Sequence, residues 1–125
     1  VRLDVDAPAA APLRADRERL MQVIGNLLDN ALRHTPEGGR VVLSVAAREG
    51  EVALEVRDSG PGIPAGMERR IFERFVRTDD ARSRASGGSG LGLAIVKALV
   101  ELHRGRVDAA NAPGGGAVFR VVLPA

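Results

Sequence analysis

With 125 residues, 45% of them apolar, and a formal charge of +2, the chain is long enough for one domain with a real core and too short for two comfortable ones. The absence of Cys excludes disulfides and thiolate metal sites, and no run approaches the roughly 18 apolar residues of a membrane-spanning helix. The pI near 10.3 overstates the basicity, because no Tyr and only Lys97 among the lysines leave little to lose a proton below the Arg range.

The N-terminus lacks the charged-then-apolar pattern of a signal peptide and begins at Val1 without an initiator Met, which predicts a soluble fragment of a longer protein. Val1, Leu3 and Val5 alternate with Arg2, Asp4 and Asp6, the period of a half-buried strand. Ala7 to Leu13 is a Pro- and Ala-rich connection, after which Asp16 is placed to cap a helix. From Asp16 to His34, Leu20, Val23, Ile24, Leu27, Leu28 and Ala31 recur at three- and four-residue spacing and form an apolar face. On a second face Asn26, Asn30 and Arg33 fall within an arc of roughly 60°, with His34 near its edge. Amides along the margin of a core can ligate a hard cation or hold a polar ligand; the same pattern also fits a helix with incidental Asn residues. The helix should end near Thr35-Pro36, with Glu37-Gly38-Gly39 as the turn.

Val41, Leu43 and Val45, then Val52, Leu54 and Val56, each alternate, and Arg48-Glu49-Gly50 between them suits an antiparallel hairpin. The second strand delivers Asp58 into Ser59-Gly60-Pro61-Gly62-Ile63-Pro64. A carboxylate beside two glycines is ordinary turn chemistry, but Gly also permits close backbone approach to a ligand. Pro64 suits the first position of a short helix, and Ile71, Phe72, Phe75 and Val76 follow at helical spacing. Residues 66 to 84 hold six Arg against Glu68, Glu73, Asp79 and Asp80, which leaves twelve basic and twelve acidic residues elsewhere, so the whole positive surplus is local. Thr78 to Gly88 is polar, small and charged, the composition either of a solvated linker or of a lid over a polyanion. With three Phe as the only aromatics, platforms for stacking single-stranded bases are poorly supported, and nucleic acid is not an expected partner.

Gly87-Gly88-Ser89-Gly90-Leu91-Gly92-Leu93 leads into a strongly apolar helix through Leu102. Glycines at a helix N-terminus put free N–H groups and the positive dipole end beside whatever sits there, which suits phosphate. The stretch is not a Walker A loop, which needs Lys and Ser or Thr where this chain has Gly92-Leu93, and it does not follow a strand as a dinucleotide fingerprint would. The helix should end around His103-Arg104-Gly105, with Gly at the C-terminal position. A strand at Arg106 to Ala109, a turn at Pro113 to Gly116 and a last strand through Phe119, Val121 and Leu123 complete the chain.

Taken together, the motifs and their order closely resemble the catalytic ATP-binding domain of sensor histidine kinases, in the superfamily that also holds gyrase, the Hsp90 chaperones and mismatch-repair MutL. Asn26 to His34 matches the N box, Asp58 to Ile63 the G1 box, Ile71 to Phe75 the F box, Gly88 to Leu93 the G2 box and Gly114 to Phe119 a terminal Gly motif. The resemblance covers essentially all of residues 1–125 as a single catalytic domain, without the helical hairpin that bears the phosphoacceptor histidine. It implies an α/β two-layer sandwich, the Bergerat fold, with a mixed sheet of about five strands and about three helices on one face.

It also implies ATP and Mg²⁺ as cofactors. Asp58 would accept a hydrogen bond from the adenine amino group, Gly60 and Gly62 would let the backbone close on the ring, and Ile63 and Leu93 would line the slot. His34, where the family often has Tyr, would flank base or ribose. Asn30 and Asn26 would bind the metal, Arg33 would meet phosphate, Gly88, Gly90, Leu91 and Gly92 would contact the nucleotide, and Arg77, with Arg74 beside it, would reach the γ-phosphate. Asn26 and Arg77 are the residues expected to act in catalysis.

Val76 stands where the family commonly has an aromatic, Val118 where it has Thr, and His103-Arg104-Gly105 replaces His-Gly-Gly, which predicts an altered helix end. The ATPase branches carry a Glu in the N box to activate water. This chain has Asn26 there, and a neutral amide is no general base, so the site suits phosphoryl transfer to a protein better than hydrolysis. The expected partners are a phosphoacceptor histidine domain and, through it, a response regulator, with no membrane contact by the domain itself. An isolated monomer and a cytoplasmic location within a membrane-bound sensor are expected. The alternative is a non-catalytic nucleotide-binding module, such as a degenerate kinase or an anti-sigma-type switch.

Overall fold

In a computed structural model the chain is described over residues 2–6, 17–73 and 92–124. Its elements follow in the order β1 (Arg2–Asp6), α1 (Arg17–His34), β2 (Arg40–Arg48), β3 (Glu51–Asp58), a single 3₁₀ turn (Arg70–Phe72), α2 (Gly92–Leu102), β4 (Arg106–Asn111) and β5 (Ala117–Pro124). The five strands form one sheet in the order β1-β2-β3-β5-β4. β1 runs parallel to β2 because α1 carries the chain back between them, and every other pairing is antiparallel. This is the expected α/β sandwich with a mixed five-stranded sheet; among the described residues its helical layer has two α-helices and the 3₁₀ turn.

Alternation decides which face of the sheet is covered. Val41, Leu43, Leu54, Val56, Phe119, Val121 and Leu123 turn inward and join Val23, Leu27 and Ala31 of α1 with Val96 and Val100 of α2 in one buried cluster. On the other face Glu55 and Arg120 form a cross-strand ion pair, 3.8 Å apart. Ile71 and Phe72 of the 3₁₀ turn enter the same core, where Phe72 meets Phe119 edge to face with ring centroids 6.1 Å apart.

The β2–β3 hairpin closes through Glu49 and Gly50, both at positive φ, the geometry that twists a two-residue turn in the sense of its strands. At the end of α1, the Thr35 hydroxyl donates to the Ala31 carbonyl at 2.6 Å and Gly39 N–H to the Pro36 carbonyl at 2.9 Å. The helix thus stops where Pro36 predicts.

One local expectation is corrected. Pro64 starts no helix; Met67 N–H donates to its carbonyl at 3.0 Å in an isolated turn, and only Arg70–Phe72 becomes helical. The end of α2 falls where expected, with Arg104 in the place of the missing glycine. Arg104 itself takes the left-handed conformation at φ 61°, with Arg104 N–H on the Glu101 carbonyl at 3.0 Å and Gly105 N–H on the Val100 carbonyl at 2.9 Å, a Schellman end. Gly105 is needed for proximity instead: a Cβ there would collide with the Val122 carbonyl.

Candidate functional site

The C-terminal end of α1, the loop after β3 and the start of β5 converge at one end of the sheet around a cleft of about 340 Å³, part of it open to solvent. Asn30, His34, Asp58, Gly62, Ile63 and Leu93 line it, so six expected site residues from three separate sequence motifs are brought together. Ile71, Ala117 and Phe119 complete the lining.

Asp58 is 4% exposed at the floor of an otherwise largely apolar wall. Its Oδ1 accepts from Gly60 N–H at 2.9 Å and from Ala117 N–H at 3.2 Å, whereas Oδ2 takes part in neither bond. A carboxylate bonded to backbone donors through one oxygen retains acceptor capacity on the second. The surrounding glycines make this approach possible. A Cβ on Gly60 would collide with the His34 carbonyl, and one on Gly116 with the Asp58 carbonyl, so only hydrogen allows α1, β3 and the β4–β5 turn to close around the carboxylate.

His34 also lines the cleft. Its Nδ1 lies 2.8 Å from the Asn30 carbonyl, which can only accept, so Nδ1 carries a proton and the ring is held against the last turn of α1. Asn30 lines the cleft one turn earlier on the same helix.

Other expected site residues stand elsewhere. Asn26 is not among the lining residues; its Nδ2 donates to the Gly92 carbonyl at 3.4 Å, a long bond that ties α1 to the first residue of α2 and leaves the amide oxygen unused in that contact. Arg33 is likewise absent from the lining and pairs with Asp29 at 2.7 Å. Gly60 acts through its N–H on Asp58. Arg74, Arg77, Gly88, Gly90 and Leu91 lie outside the described residues.

Reasoning from sequence missed Asn111 and the backbone of Ala117. Ile63 N–H donates to Asn111 Oδ1 at 2.6 Å and Asn111 Nδ2 donates back to the Ile63 carbonyl at 3.1 Å. The only sequence signal is a polar amide at a strand end before a Gly-rich turn, and a backbone N–H has no side-chain signature at all.

This site geometry accords with the comparisons with known proteins. Residues 15–125 match the model of the family described as histidine kinase-, DNA gyrase B-, and HSP90-like ATPase. The signal transduction histidine-protein kinase BaeS of Escherichia coli (strain K12) is 46% identical over 124 residues, 99% of this chain and 27% of BaeS. Among solved structures, the mycobacterial sensor histidine kinase MprB superposes with a TM-score of 0.83 at 35% identity, over 98% of this chain and 80% of that one. The histidine kinase ThkA, in complex with the response regulator protein TrrA, superposes with a TM-score of 0.81 at 29% identity, over 98% of this chain and 33% of that one. The chain therefore belongs to the histidine kinase-, DNA gyrase B- and HSP90-like ATPase family, and its relatives are sensor histidine kinases whose catalytic domain it matches in fold.

Proposed function

We propose that the cleft binds Mg-ATP and that residues 1–125 act as the catalytic domain of a sensor histidine kinase, donating the γ-phosphoryl group to a histidine on a separate phosphoacceptor domain. The observation that carries this reading is Asp58, held through Oδ1 by two backbone N–H groups at the base of an apolar slot. Such a carboxylate recognises an exocyclic amino group, which adenine presents and guanine does not present at the same ring position. Ile63, Leu93 and Phe119 supply the apolar walls a planar base needs. Bound ATP supplies the transferable phosphoryl group and the leaving group.

The chain's own contribution is positioning. Asn30 would hold the metal ion from the cleft side, and Asn26, held near Gly92 at the start of α2, would offer its amide oxygen. Among the described residues no group of three or more His, Asp or Glu is arranged to hold a metal. Neutral amides make a weak cation site by themselves, which fits Mg²⁺ brought by phosphate oxygens and completed by one or two protein ligands. Arg33 and Arg77 are assigned to phosphate, Arg77 to its terminal group, and Gly88 to Gly92 to the phosphate-facing N-terminus of α2. His34 would pack beside base or ribose. Asn26 in place of a carboxylate leaves water without a general base and favours a protein acceptor.

The chain spans 27% of BaeS, and in this reading the acceptor histidine belongs to a separate domain and the response regulator receives the phosphoryl group from it. No helix among the described residues is long and apolar enough to cross a membrane. Incubating the chain with γ-labelled Mg-ATP and the histidine-bearing helical fragment of its full-length protein should label a histidine of that fragment. Nucleotide binding without transfer would overturn the kinase step and spare the nucleotide site; no binding would overturn both.

A further inference from the structure

Asn111 ends β4, at the edge of the sheet, and reaches Ile63 across 48 residues of sequence. Its carboxamide satisfies both backbone groups of Ile63, accepting from N–H at 2.6 Å and donating to C=O at 3.1 Å. Only this orientation of the amide works, since the flipped one would face donor with donor. The side chain therefore acts as one extra peptide unit of sheet, paired with a segment that has no strand partner of its own. Gly62 belongs to the same arrangement: it sits at φ 85°, and a Cβ there would lie 2.6 Å from Asn111 Oδ1. The amide occupies the space a side chain at position 62 would need.

The opposite end of the same loop is held by the same hairpin. Ala117 N–H reaches Asp58 Oδ1, Gly116 packs on the Asp58 carbonyl, and the turn between Asn111 and Ala117 is closed by Ala112 N–H on the Gly116 carbonyl at 2.8 Å. The β4–β5 hairpin thus grips Asp58 with one residue and Ile63 with another. These are the polar reader and an apolar wall of the cleft.

We propose that Asn111 is a positioning residue for base selection, fixing the Gly62–Ile63 backbone so that the Ile63 wall and the Asp58 carboxylate meet a base in one geometry. The inference rests on the nucleotide reading of the cleft. With the clamp removed, Gly62 has the widest backbone freedom of any residue type, and the wall drifts while Asp58 keeps its two donors.

The test compares this chain with its Asn111→Ala and Asn111→Asp variants. Asn111→Asp keeps the shape and the acceptor but sets a carboxylate oxygen against the Ile63 carbonyl. Calorimetric titration with ADP, GDP and tripolyphosphate is paired with amide hydrogen exchange at Ile63. Both variants should bind ADP about tenfold more weakly, with the ADP-over-GDP preference reduced and tripolyphosphate binding unchanged. The Ile63 amide should exchange faster in Asn111→Ala while core amides such as Val56 keep their protection, a split that general destabilisation would not give. Folded variants with unchanged ADP affinity and unchanged base preference would overturn the proposal, as would parallel losses for ADP and tripolyphosphate. No adenine preference in the unsubstituted chain would overturn the nucleotide reading itself, and this proposal with it.

Discussion

Both backbone hydrogen bonds to the Asp58 carboxylate fall on Oδ1, and under the proposed reading that asymmetry makes Asp58→Asn an informative change. An amide oxygen can take over Oδ1 and keep the bonds from Gly60 and Ala117, which turns the NH₂ group toward the cleft. A donor would then face the adenine amino group, itself a donor. ADP affinity is expected to fall by about a hundredfold in calorimetric titration, while the melting temperature of the ligand-free protein moves by only a few degrees. A collapse of the melting temperature would instead make Asp58 chiefly a structural residue. At this scale the sequence was informative where chemistry resides in side chains of a recognisable motif: Asn30, His34, Asp58 and Ile63 all line the cleft. It was silent where a backbone donor such as Ala117 N–H, or a lone amide such as Asn111, acts through placement.

The elements formed where periodicity was strong and differed where a single residue type was read as a rule. Alternation in β2 and β3 and the apolar face of α1 are borne out, because burying one face satisfies every residue of the repeat at once. Pro64 was read from residue preference alone, and tertiary contacts override such preferences. At the end of α2, glycine is spent on the close pass beneath β5, so Arg104 is left to take the left-handed turn. That conformation costs a residue with a Cβ about 1–2 kcal/mol. Arg104→Gly should therefore raise the unfolding free energy by about 0.5–1 kcal/mol in urea titration, once the greater freedom of Gly in the unfolded chain is offset. Gly105→Ala, by contrast, should destabilise, because its Cβ meets the Val122 carbonyl and the Leu123 side chain.

For the molecule as a whole, Leu27 is the point where the two layers join. It is 1% exposed, in the same buried cluster as α2 and the inner face of the sheet, and it lies on α1 between Asn26 and Asn30. Leu27→Ala should cost about 2–5 kcal/mol of stability by urea unfolding, since the helices and sheet around it cannot fully collapse into the space. Excess ADP should recover part of that loss as a rise in melting temperature, because only the folded chain offers the cleft. The absence of any ADP-dependent rise in the unsubstituted chain would contradict nucleotide binding.

By itself the sequence determined the α/β class, the hairpin, both long helices and the family, because periodic burial and ordered motifs are local patterns written along the chain. Only the tertiary structure decided which oxygen of Asp58 is committed to the fold, which residue bears the left-handed turn after α2, and that Asn111 closes on Ile63. Each of those depends on a contact between segments distant along the chain, whose geometry appears only once the sheet order β1-β2-β3-β5-β4 brings their backbones within reach.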